Sequence, residues 1–119
     1  MITNFVRTSD LRKREPELAR LIEYDEELEA LIDKAFSDFC CDFKFKYGRS
    51  PVIDETESPY KMLIEFLSLS YVFEGLIKTN DVYILKADRY RMLYSERFEK
   101  LDPDPNGLYA SVETIGMLR

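Results

Sequence analysis

The sequence contains no histidine and no tryptophan. Without imidazole there is no Ser-His-Asp or Cys-His nucleophile system, no His-ligated zinc or haem, and no histidine acid–base step. Cysteine is equally scarce: Cys40 and Cys41 stand alone and adjacent. A ring closed between neighbours is strained, because their Cα atoms sit nearer than the usual disulfide range. Two thiolates also leave a four-ligand zinc shell half filled. The expectation is a reduced pair on a helix, with Cys40 turned inward as a small hydrophobe, which suits a reducing compartment. The four glycines form no phosphate-cradling loop. Positive charge is short as well: Lys+Arg 17 against Asp+Glu 23 gives a formal charge of −6, the wrong sign for gripping a phosphate backbone. Long hydrophobic runs are missing. The most apolar stretch, Met62 to Ile77, carries Glu65 and Glu74 and is short for a bilayer, and Met1 to Asp10 lacks a signal-peptide core. A soluble protein with no membrane partner is expected.

What remains is a globular composition, 45% hydrophobic and 34% charged over 119 residues. That length suits one domain with a real core. No repeat of about 20 to 50 residues points to a solenoid. Thr8-Ser9-Asp10 supplies cap residues for a first short helix, and Pro16 fits the first turn of a second, Pro16 to Tyr24. Asp25 is the expected cap of a long helix over 25–47, with Leu28, Leu31, Ile32, Ala35, Phe36, Phe39, Cys40, Phe43 and Tyr47 on one face. Its acids come first and its bases last, which complements the helix dipole. Gly48 and Pro51 stop it.

Ser58 and Pro59 open a helix over 59–78 that is apolar on most sides, with Gly75 expected where another backbone approaches closely. Thr79-Asn80-Asp81 caps a last helix over 81–101, with Tyr83, Ala87, Tyr90, Tyr94, Phe98 and Leu101 inward and a mixed-charge outer face. The expected fold is therefore all-α, a small bundle of three main helices preceded by one or two short ones. Residues 1–101 form the bundle and 102–119 an extended C-terminal turn and arm.

One local pattern carries metal chemistry. Asp102, Asp104 and Asn106, then Gly107 and Glu113, match the spacing of an EF-hand calcium loop, whose hard cation wants six to eight oxygens. Pro103 and Pro105 remove two N–H groups from that loop, and only Thr114 to Arg119 follow it, so a proline-stiffened turn accounts for the same residues. The tyrosines and arginines of the last helix fall at core and surface spacing and lack an RNA-binding motif. Glu65 and Glu74 lie nine positions apart and do not converge. No acid–base constellation emerges, so no enzyme is expected and no cofactor beyond calcium is considered.

The order of elements resembles the head–tail connector proteins of tailed phages, also called adaptor or head-completion proteins. The likeness rests on a capped short helix, then a long amphipathic helix ending in Phe45-Lys46-Tyr47-Gly48. A very apolar helix from Tyr60 to Ile77 follows, then Asp88-Arg89-Tyr90 with Tyr94, and the Leu101-Asp102-Pro103-Asp104 turn ending at Gly107. It covers about residues 8 to 101 and carries no residue-level site. The resemblance implies a protomer of a ring, commonly twelvefold, between the portal protein and the stopper or tail. DNA would pass through without sequence-specific binding, and the protein would reside in the virion after assembly in the host cytoplasm. The alternatives are a calcium-responsive helical module built on the 102–113 loop, and a regulatory protein that meets a partner through the 59–78 helix. The apolar excess of that helix makes Leu69, Phe73 and Leu76 the expected contacts outside the subunit's own core, since Leu63, Phe66, Leu67 and Ser70 already occupy one stripe.

Overall fold

The structure, a computed structural model, describes residues 5–51 and 59–101. It is an all-α bundle of five helices with no strand among the described residues: α1 Thr8–Arg14, α2 Leu18–Leu21, α3 Asp25–Tyr47, α4 Pro59–Leu76 and α5 Val82–Glu99. No described helix is long and apolar enough to cross a membrane.

The starts and stops follow local chemistry. Asp10 accepts the Arg7 N–H at 2.9 Å, closing the first turn of α1. Between Pro16 and Tyr24, only Leu18–Leu21 is helical, because Ile22 turns extended (φ −131°) to bury its side chain. Asp25 is the first residue of α3 and not its cap; its carboxylate holds Arg12 at 3.0 Å instead. The same guanidinium donates to the carbonyls of Leu18 and Ile22, each at 3.0 Å. Arg12 thus adds a second donor to the Leu18 carbonyl, which already accepts the Ile22 N–H, meets the Ile22 carbonyl beyond the end of α2, and ties α1 to the head of α3. Gly48 ends α3 in the left-handed region (φ 75°), donating its N–H to Lys44 at 2.8 Å, a conformation glycine adopts without a Cβ penalty. Asn80 accepts the Val82 N–H at 3.0 Å ahead of α5.

The middle layer is α4, packed against both α3 and α5 and met by α1. Its flank is covered by Phe5, Val6 and Leu11 from the N-terminal end, all buried. The expectation that Leu69, Phe73 and Leu76 face outward is therefore corrected. Leu69 and Phe73 are 0% exposed inside the chain's own core, and Leu76 is half-buried against it. Gly75 is corrected too, since a Cβ built there meets nothing within 4 Å.

Aromatic side chains fill the space between layers. Phe39, Phe43 and Tyr60 form one group with ring centroids 5.5 to 5.9 Å apart. In a second group Phe73 stacks on Tyr83 at 5.5 Å and on Tyr90 at 6.0 Å. Such pairs add to the burial of their large apolar areas. The two buried serines of α4 bond within their own helix, Ser68 to the Ile64 carbonyl and Ser70 to that of Leu67, each at 2.7 Å. An apolar middle layer can hold them at little cost because both hydroxyls are satisfied.

Candidate functional site

Among the described residues, the large apolar side chains that stay in water lie mainly on α5. Its inward stripe uses Tyr83, Ala87 and Tyr94 as buried anchors. Positions Val82, Leu85, Arg89, Met92 and Glu96 recur at alternating steps of three and four, which places them along one stripe turned from the core. Leu85 is 72% exposed and Met92 61%. With Leu93 and the carboxylates of Asp88 and Glu96 they line a shallow groove of about 330 Å³. All of these residues belong to one helix, so this is an open surface patch and not an enclosed cavity that could wall in a small ligand. A second cleft, lined by Pro59, Met62, Arg97 and Leu101, shares Leu93 and Glu96 with it and carries the groove toward the first turn of α4.

Two large apolar residues off α5 also stand in water among the described residues, Tyr24 ahead of α3, 62% exposed, and Phe45 on α3, 94% exposed. Phe45 lies two positions beyond the buried Phe43, hence on the far side of the helix. Exposed Cys41 shares its face one turn earlier, and exposed Lys44 precedes it. Nothing in the pattern of α3 requires a phenyl ring there. A charged residue would serve the helix equally well.

No match to the chain is found among family models, curated proteins or solved structures. Its chemistry has to be read from its own side chains.

Among the described residues the polar side chains tie helix to helix. Tyr71 donates to Asp38 at 2.5 Å and Tyr94 to Asp42 at 2.7 Å, so α4 and α5 each hang a phenol on α3. Tyr90 donates to Glu15, and Lys86 donates to Glu15 and Glu17 at 2.6 Å each, joining α5 to the α1–α2 corner. Burial, then the hydrogen bond to a carboxylate, pushes all three phenols above the ordinary tyrosine range. They remain neutral donors at any physiological pH, which removes them as bases or nucleophiles. At Lys86 burial works against the charged form, but the two carboxylates outweigh it and hold the ammonium charged. Glu65 and Glu74 stay apart as expected: Arg14 takes the first and Arg91 the second.

Among the described residues no group of three or more Cys, Asp or Glu side chains is placed to hold a metal ion. The calcium-loop residues Asp102, Asp104, Asn106 and Glu113 lie outside the described residues. Cys40 is half-buried against the core, its thiol pushed up by burial and then by Cys41, while Cys41 is exposed. A raised pKa makes Cys40 a poor nucleophile. The sequence did not single out Leu85, Met92 or Phe45. The signal for the first two was available as a heptad step between Val82 and Glu96, interleaved with charges that suggested a solvated face.

Proposed function

We propose that this chain is a structural subunit of the head–tail connector type, one protomer of a ring around the DNA channel between portal and tail or stopper. The observation that carries the reading is the exposed apolar stripe of α5, Val82, Leu85 and Met92, on a bundle whose core is already closed. A chain that already buries most of α4 has no need of further grease outside unless something covers it. The order of helices that resembles connector proteins and the use of Tyr71, Tyr90 and Tyr94 as ties between helices support the same reading. So does the charge of −6, which would let DNA slide past a repelling wall.

On this reading the protein is not an enzyme and needs no cofactor. Its partners are further copies of itself, the portal protein and the stopper or tail proteins. The test is the composition of purified particles: the chain is expected at the neck in ring stoichiometry, with portal, capsid and tail genes beside its own. Particles that assemble fully without it, from a genome lacking those neighbours, overturn the reading.

A further inference from the structure

The cleft between the first turn of α4 and the last turns of α5 differs from the open α5 face, because two helices wall it. Met62 and Leu63 stand on one side and Leu93, Arg97 and Lys100 on the other, around a volume of about 410 Å³, with Leu101 completing the lining. Met62, Leu93 and Leu101 are half-buried, so part of each apolar side chain still meets water. Among the described residues neither Arg97 nor Lys100 makes an ion pair. Glu96 is the only acid of the lining, which leaves the cleft net positive.

Leu101 is also where the described chain leaves the bundle. Its carbonyl accepts the Tyr47 phenol at 3.1 Å, which holds the departure point against the end of α3. Residues 102–107 then run Asp-Pro-Asp-Pro-Asn-Gly, the residue types of a chain reversal. Beyond them Leu108, Tyr109, Val112, Ile115, Met117 and Leu118 crowd into eleven residues, more apolar surface than a solvated tail carries. Residues 102–119 hold Asp102, Asp104 and Glu113 against one cation, Arg119, so their charge is opposite to that of the cleft. The reach is sufficient. Leu93 lies eight residues before Leu101, about 12 Å along a helix, and the seven residues from Leu101 to Leu108 extend to about 23 Å, which leaves slack for the turn.

We infer that the segment after Gly107 folds back onto the cleft of its own chain, Leu108 resting between Met62 and Leu93 and the carboxylates of Asp102 and Asp104 facing Arg97 and Lys100. The occupant is the chain's own segment and not a neighbour's, because it starts at the cleft. A tether of a few residues holds it at an effective concentration in the millimolar range, above that of a second copy in dilute solution. Burial of Leu108 with the exposed parts of Met62 and Leu93 supplies the gain, and the opposite charges set the direction of return. The contact stands whether or not the chain forms a ring.

The test is nuclear magnetic resonance on the full chain with labelled methyl groups. Nuclear Overhauser contacts are expected from Leu108 to Met62 and Leu93 within one chain, and none between the copies of a mixture of two differently labelled samples. Leu108→Asp, its fold established by circular dichroism, is expected to lose the contacts and to shift the Met62 and Leu93 methyl signals while those of Leu69 and Val72 stay in place. A native chain whose Leu108 methyls contact neither residue overturns the proposal, and that measurement decides the matter should the variant not fold. Contacts seen only between copies assign the cleft to a neighbour's segment and overturn it as well. So do Met62 and Leu93 signals that stay unmoved in the folded variant.

Discussion

Glu65, in the buried middle helix, accepts a hydrogen bond from Nε of Arg14 on α1, 51 residues earlier in the chain. The guanidinium also lies 4.9 Å from the ring centre of Phe66. A buried carboxylate is tolerable only while paired, so the two partners are not equivalent under mutation. Arg14→Ala strands the charge and is expected to cost about 2 kcal/mol in urea denaturation, with the half-exposed arginine limiting the loss. The double variant Arg14→Ala, Glu65→Met is expected to recover most of it. Additive losses in the double variant would show that the charge is not what the arginine serves.

Arg12 joins three segments through separate acceptors, the carbonyls of Leu18 and Ile22 and the carboxylate of Asp25. Arg12→Ala is expected to lower global stability by about 1 kcal/mol, comparable to the loss of a helix cap. Hydrogen exchange is expected to quicken at residues 18–25 before it does in α4. Uniform exchange across the molecule would contradict a local role.

The three tied tyrosines predict the alkaline limb of stability. Burial and then carboxylate hydrogen bonds raise Tyr71, Tyr90 and Tyr94 in the folded state above the ordinary value of about 10. Below that value both states hold the phenolic proton and the contribution is complete. Above it the unfolded chain releases protons that the folded chain keeps, so stability falls as pH rises. Denaturation midpoints are expected to be flat in this respect through pH 9 and to drop beyond about pH 10. Tyr94→Phe is expected to soften that drop while costing about 1 kcal/mol at neutral pH. An unchanged alkaline slope in the variant would remove the tyrosine from the explanation.

Calcium is expected to give no saturable heat with the full chain, and Glu113→Gln to behave as the native protein does, because turn chemistry alone accounts for the residue types Asp102, Pro103, Asp104 and Pro105. Saturable heat that Glu113→Gln abolishes would instead establish the loop as a calcium site.

Much of the architecture was legible from spacing. The long helix was expected over 25–47 and runs Asp25–Tyr47, because a single apolar face held for several turns leaves no other period available. The expected 59–78 and 81–101 end a few residues early, at Leu76 and Glu99, where frayed turns take over. The face that matters for contact was not legible. A helix apolar all round says only that something covers it, and here Tyr83 and Tyr90 of α5 cover Phe73 while Leu69 is closed into the same core. Conversely, Leu85 and Met92 sit among Asp88, Arg89 and Glu96, and a charged neighbourhood on a helix reads as solvated until the groove is seen in three dimensions.

Glu15 meets Lys86 and Tyr90 across separations of 71 and 75 residues. On the ribosome the carboxylate therefore emerges long before either partner exists, and the knot that fastens the first helices to the last cannot be drawn tight until α5 has been made. The α1–α2 corner is synthesised first and secured late. Until then Phe5, Val6 and Leu11 have no finished bundle to join, and the nascent chain carries an adhesive segment that is sheltered only once α5 has emerged.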